Sequence, residues 1–522
     1  MTDAPTTPRE PVLVQDLLEE AVAGHPDATA VTDSTGSWTY SELAEHARAF
    51  TGWLRERGVG PGDRVCVRLG NVREMVAMLF GTLRNGSVFV PLGPALMPFH
   101  LTAVLADCEP ALTVAAGDDV PLLSALTDRV FDLTDVWSAL DASGQPAASW
   151  TVRDEGTVTG DDLALLMYTS GSTAAPKGVM CPHRSVVFAV RAIAERLAYQ
   201  PTDVVLTAIP LSFDYGLYQV FLAALAGAEV VLSQPEAHTR LMGLLSGHRV
   251  TVVPVVPSLA EMLVRLADRG RHEEAPPVRL FTNTGAALAG PLIERLRAAF
   301  PKARVAPMYG ITECKRVTVL EPDGDLDHPG SVGRALTGTE VLVLGEDGAP
   351  LPPGDTGQIA VRGPHLMAGY WRAPELTAAR YHRSPVTGDV TLLTGDYGRL
   401  DAEGHLYFEG RRDDLFKRHG VRTSVSEIEA AALDIEGVSE VAVLPPEGTR
   451  DLTLLAVTTL TPEQVLGELG RRLEQVKVPA VCHIRDGLPL TPNGKTDRKR
   501  LREELQAAGT EPGGDTREER TP

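Results

Sequence analysis

The chain has 522 residues, enough for several domains, and 43% of them are hydrophobic against 23% charged, which supplies packed cores and excludes general disorder. A formal net charge of −20 repels nucleic-acid phosphate. Cys66, Cys108, Cys181, Cys314 and Cys482 form no C-x-x-C pair, MTDAPTTPRE carries no signal-like basic and apolar stretch, and no apolar run reaches the ~20 residues of a membrane helix, so the expectation is a soluble cytoplasmic protein without disulfides, zinc, nucleic acid or membrane.

In chain order, Thr39-x-x-Glu42 is a capping box, with Leu43, Ala47, Phe50 and Leu54 following at helical spacing and Gly58 closing the helix. Residues 64–69 (RVCVRL) read as a strand, 72–83 as an apolar helix and 87–91 as a second strand. The pattern returns as a buried strand at 163–168, a helix at 185–199 and a strand at 229–232. Such alternation favours a largely parallel sheet covered by helices. From about residue 330 short strands at 339–344 and 358–362 lie between turns, which predicts a β-rich subdomain reaching 411. Residues 412–506 form a small unit with helices at 426–434 and 462–475 and strands at 440–444, 452–460 and 481–484. The polar, Gly/Pro-rich end, 507–522, reads as a disordered tail.

The segment LALLMYTSGSTAAPKGV, residues 163–179, ends a buried strand in a run of small and hydroxylated residues and a lysine. Small residues let backbone N–H groups approach phosphate oxygens, hydroxyls add donors and lysine adds charge. On spacing alone a Ser/Gly linker fits as well. The Walker pattern fails, because Pro176 stands where its second glycine belongs and Gly178 where its hydroxyl belongs.

Residues 168–178 resemble the phosphate-binding signature of the adenylate-forming superfamily, which includes acyl-CoA ligases and the adenylation domains of nonribosomal peptide synthetases. Further motifs of that family follow in order: Phe213-Asp214, YGITE (309–313), GQIAVRGPHLMAGY (357–370), TGD (394–396), GRRDD (410–414) with Lys417 and Gly420, and PNGKTDR (492–498). The chain resembles stand-alone amino-acid adenylation enzymes of peptide and polyketide antibiotic pathways. The resemblance implies an α/β fold, with a large N-terminal domain of helix-covered sheets (1–411) and a small mobile α+β C-terminal domain. It also implies ATP and Mg²⁺ as cofactors. Thr169, Ser170, Gly171, Ser172, Thr173 and Lys177 would cradle the β- and γ-phosphates. Tyr309 would stack on adenine, Thr312 would approach the α-phosphate, Glu313 would hold Mg²⁺, and Asp396 and Arg411 would bind the ribose. Lys495, presented by the turn 492–494, would offset charge in the transition state, and Asp413 would be the hinge about which the small domain turns. Two departures stand out: Ala174 where glycine is usual, and Pro307 where many peptide-synthetase domains carry an adenine-reading asparagine.

For the acid, the resemblance pairs Asp214 with a substrate ammonium, the competing reading being a helix N-cap. Motif alignment puts Tyr215, Tyr218, Phe281, Asn283 and Met308 around the pocket, with Arg316 near its rim. Bulky walls imply a small amino acid resembling glycine, alanine or serine. The acceptor expected is the phosphopantetheine thiol, or an amine, on a separate carrier protein. An acyl-CoA ligase for a non-amino acid is the alternative, and an inactive homologue acting as a binding protein is the alternative of another class.

Overall fold

The computed structural model describes residues 13–96, 98–142, 158–169, 176–234, 240–269, 276–411, 415–418, 421–447, 450–491 and 496–508. The chain divides into two units, a larger one of Met1–Leu288 and Leu292–Phe408 and a smaller one of Ala289–Pro291 and Glu409–Pro522. The sequence reading drew that line after 411. The expected tail lies outside the described residues from 509 onward.

In the larger unit the capping box closes as written, Thr39 N donating to Glu42 Oε2 (2.7 Å) and Glu42 N to Thr39 Oγ1 (3.2 Å), and starts the helix Tyr40–Glu56. That helix packs against Arg73–Arg84, and with His183–Leu197 and Asp214–Ala226 the two merge their apolar faces into one core. The core takes in Val65 and Val67 from one sheet and Val31, Val205 and Val230 from another. Each large side chain so buried, such as Phe50, Phe80 or Phe221, contributes roughly 1.5–3 kcal/mol.

The first sheet orders its strands Val130–Asp132, Leu112–Ala115, Arg64–Arg68, Val88–Leu92, Leu163–Thr169 and Lys177–Pro182, parallel except for the last pair. The second has a parallel part, running Thr29–Asp33, Glu229–Leu232, Val204–Thr207, Val252–Val255, Leu280–Asn283 and Arg304–Tyr309. Beyond Arg304–Tyr309 it turns antiparallel through Thr318–Val319 and Ser331–Ala335 into the β-rich region, which includes Glu340–Leu344, Gly357–Arg362, Val390–Leu400 and His405–Arg411. Continuous burial of strands such as Leu280–Asn283 follows from cover on both faces.

The smaller unit has a hairpin, Leu415–Arg418 with Val421–Ser424, and a sheet ordered Val438–Leu444, Thr453–Thr458, Val481–Ile484. Helices Val425–Leu433 and Pro462–Arg472 cover one core of this sheet, and Leu501 of Arg498–Ala508 packs into another. Large sheet domain and small C-terminal domain together make the α/β class that the sequence implied. Among the described residues no helix is long and apolar enough to cross a membrane.

Candidate active site

Ligands of parallel sheets bind outside the C-terminal ends of the strands, and Tyr309 stands at that end of Arg304–Tyr309. After Tyr309 the chain makes a short loop closed by a hydrogen bond from Val317 N to Tyr309 O (2.8 Å). Gly310 is required in it, because a β-carbon there would stand 1.8 Å from the Lys315 carbonyl oxygen. Lys315 takes a left-handed φ of 64°. One tight loop therefore holds Tyr309, Thr312, Glu313, Lys315 and Arg316.

Tyr309 is buried, stacks on Phe408 (5.6 Å between ring centres) and donates its hydroxyl to Asp396 Oδ2 at 2.8 Å. Burial, then the Asp396 charge, pushes the Tyr309 hydroxyl well above its ordinary pKa, so it stays a donor. Asp396 lies in the strand Val390–Leu400, and its backbone N–H donates to Thr394 Oγ1 (3.1 Å). Pro307 O accepts from Leu320 N (2.9 Å), so that carbonyl is already engaged.

Glu313 meets two other sequence motifs. Its Oε1 accepts from the Tyr370 hydroxyl (2.6 Å), and its backbone oxygen accepts from Met367 N (2.9 Å). The 367–371 segment also binds the strand Lys177–Pro182, through Met180 N to Gly369 O (2.9 Å) and Trp371 N to Gly178 O (2.7 Å). Thr169 and Lys177 sit opposite each other in register and set the two ends of the phosphate-loop segment. Ser170, Gly171, Ser172 and Thr173 lie outside the described residues, as do Lys495 and Asp413. Arg411 is exposed at the end of its strand, in the smaller unit.

At the acid-binding end, Asp214 is not a helix cap. Phe213 is the N-cap of Asp214–Ala226, no side chain caps it, and the Asp214 carboxylate instead faces the Arg316 guanidinium at 3.5 Å. Arg316 is buried rather than at a rim, donates to the Lys315 carbonyl (3.1 Å) and lies 4.8 Å from the centre of the Tyr215 ring. Tyr215 donates its hydroxyl to Thr282 O (2.7 Å).

Lys315, absent from the sequence expectations, is fully buried, with Nζ 5.7 Å from the centre of the Tyr218 ring and without a hydrogen-bond partner. The buried Tyr218 hydroxyl has none either. Cys181 is beside Lys315, yet burial pushes its thiol up and keeps it protonated, so it supplies no counter-charge. Its only sequence signal is two adjacent bases directly after YGITE and a cysteine.

Met308 shares the core cluster of Tyr215 and Tyr218. Phe281 does not: it points to the opposite face of its strand, edge-on to Phe300 at 5.1 Å in a separate core. Thr282, next to it, is the residue that reaches Tyr215. The expectation that Phe281 walls the pocket is corrected by this strand phase. Asn283 donates its side-chain amide to Val255 O (3.1 Å).

The model of the AMP-binding enzyme family matches residues 18–371, and that of the AMP-binding enzyme C-terminal domain matches 427–495. Tyrocidine synthase 3 of Brevibacillus parabrevis is 30% identical over 509 residues, which is 95% of this chain but 8% of that protein, so the chain spans a small part of its curated relatives. Among solved structures, VinN with L-aspartate is 44% identical with a TM-score of 0.70, covering 76% of this chain and 98% of that one. VinN has also been solved with 3-methylaspartate. ATP-bound MatB from Rhodopseudomonas palustris is 28% identical with a TM-score of 0.83, covering 95% and 99%.

Proposed function

The chain belongs to the AMP-binding enzyme family and is an adenylate-forming ligase that uses ATP, and from that premise we propose that its acid is a small amino acid with a second carboxylate, of aspartate size. The observation that carries this reading is the pair of Asp214 with the buried Arg316, next to a buried Lys315 that has no hydrogen-bond partner. A buried ammonium without a partner is costly, and an anionic ligand group would remove that cost. The substrate ammonium would pair with Asp214 and its second carboxylate with Lys315 and Arg316. Tyr215, Tyr218 and Met308 would keep the side chain short, which sharpens the glycine-to-serine expectation to a small side chain that is charged. VinN, solved with L-aspartate, supports the same class.

The phosphates of ATP would lie on Thr169, Ser170, Gly171, Ser172, Thr173 and Lys177. Tyr309 would carry the adenine, Asp396 and Arg411 the ribose, and Thr312 the α-phosphate. Glu313 fits Mg²⁺, a hard cation that takes oxygen ligands, because Tyr370 engages only its Oε1. Bound there, Mg²⁺ would neutralise phosphate charge. As the acid's carboxylate attacks the α-phosphorus, Lys495 would offset charge building on the departing pyrophosphate. Rotation at Asp413 would then clear the cleft for transfer to a phosphopantetheine thiol on a separate carrier protein.

A second reading is an acyl-CoA ligase for a dicarboxylic acid lacking the amino group. It is favoured by the Arg316–Asp214 pair, which balances Asp214 without a substrate ammonium. Pyrophosphate exchange with aspartate, 3-methylaspartate, alanine, serine, malonate and hexanoate separates the readings. The amino dicarboxylates are expected to exchange fastest. Exchange with malonate but not aspartate selects the second reading, and exchange with alanine or hexanoate alone overturns both. Transfer assays with CoA and a phosphopantetheinylated carrier then decide the acceptor.

A further inference from the structure

His328, Asp401 and His405 gather at one end of the β-rich region. His405 opens the strand His405–Arg411, Asp401 lies in the turn before it, and His328 precedes the strand Ser331–Ala335, whose Arg334 is in register with His405. One donor atom from each side chain lies within 4.8 Å of the others. The two imidazoles stack at 3.7 Å between centres. His405 is 2% exposed, and its Nδ1, 3.4 Å from Asp401 Oδ2, has no hydrogen-bond partner. A buried polar atom left this way calls for one.

Asp401 is itself held in place. Its Oδ1 accepts from His405 N (2.8 Å) and Glu403 N (3.1 Å), and its Oδ2 from the Tyr407 hydroxyl (3.2 Å). The carboxylate is thus oriented by its neighbours, as ligands of metal sites are.

We propose that His328, Asp401 and His405 bind a divalent transition-metal ion of the Zn²⁺ class. Two imidazoles and a carboxylate suit Zn²⁺ rather than Mg²⁺, with water in the fourth position. A tetrahedral ion with bonds of about 2.0–2.2 Å sets its donors about 3.4 Å apart, so the triad closes when side chains turn by about 1 Å and the imidazoles fan apart. None of the three serves the ATP or acid site. An ion here would tie the segment before Ser331–Ala335 to the turn that enters His405–Arg411.

The test uses the full chain, stripped with a chelator and titrated with Zn²⁺ in saturating Mg²⁺, with bound ion measured by equilibrium dialysis. One Zn²⁺ per chain is expected, with affinity falling about tenfold or more in His328→Gln and in Asp401→Asn. His328 is partly exposed, so His328→Gln spares the packed His405 and leaves pyrophosphate exchange in Mg²⁺ without Zn²⁺ unchanged. Zn²⁺ should raise the melting temperature of the unsubstituted chain and not of either variant. Absence of stoichiometric binding, or binding indifferent to both substitutions, overturns the proposal.

Discussion

Replacing Lys315 by methionine keeps the length of a fully buried side chain and removes its charge. In the free protein Nζ has no hydrogen-bond partner, and an unsatisfied buried polar group costs about 1–3 kcal/mol, more when charged. The substitution therefore stabilises the larger unit by about that amount. An unfolding entropy of about 2.1 cal/mol/K per residue over roughly 400 residues gives about 0.8 kcal/mol/K, so Tm rises by about 1–4 °C. In the substrate complex the same change deletes a charge-assisted hydrogen bond worth about 1.5–3 kcal/mol, so kcat/KM for aspartate falls about 10- to 150-fold. Calorimetry without substrate and pyrophosphate exchange with aspartate measure the two effects. A variant that melts lower and exchanges aspartate as fast as the parent would refute the reasoning, because the ammonium would then be structural.

Tyr370→Phe removes the hydroxyl that holds Glu313 Oε1 and should raise the Mg²⁺ concentration for half-maximal exchange about tenfold with the amino-acid KM unchanged; an unaltered Mg²⁺ titration counts against the role given to Glu313. Thr39→Ala breaks the capping box and should cost about 1 kcal/mol, seen as a lower denaturant midpoint at constant slope. Burial lowers the pKa of His365 to about 4, against about 6.5 unfolded. The unfolded chain thus takes up a proton that the native state refuses, and stability present above pH 6.5 drains away as pH falls towards 4, by about 3 kcal/mol. Denaturant titrations of the parent and His365→Gln should differ in slope across that window and run parallel above it.

Where local rules act alone, the sequence is a good guide to the fold. The capping box starts the helix Tyr40–Glu56, and the strand expected at 229–232 is Glu229–Leu232. The motifs from YGITE to TGD were legible as a set because their order carries the resemblance, and the structure brings Tyr309 to Asp396 and Glu313 to Tyr370. Pocket detail was less legible. Leu280–Asn283 is buried at all four positions, so no alternation reveals that Thr282, and not Phe281, faces Tyr215. The orientation of Lys315 depends on a left-handed backbone within the loop, which neither periodicity nor residue type announces. Arg316 looked peripheral because its partner, Asp214, stands about a hundred positions earlier in the chain.

The contact between Gly310 and the Lys315 carbonyl sets how this enzyme could diverge. Because the backbone doubles on itself there, lengthening or shortening the loop would displace Glu313 and Tyr309 along with the two cations. Point substitution at 315 or 316 leaves the backbone path intact. On the proposed assignment, a lineage, or an engineer, would retune which acid is taken by exchanging side chains on a fixed frame, while insertions and deletions would be purged with the nucleotide chemistry they disturb.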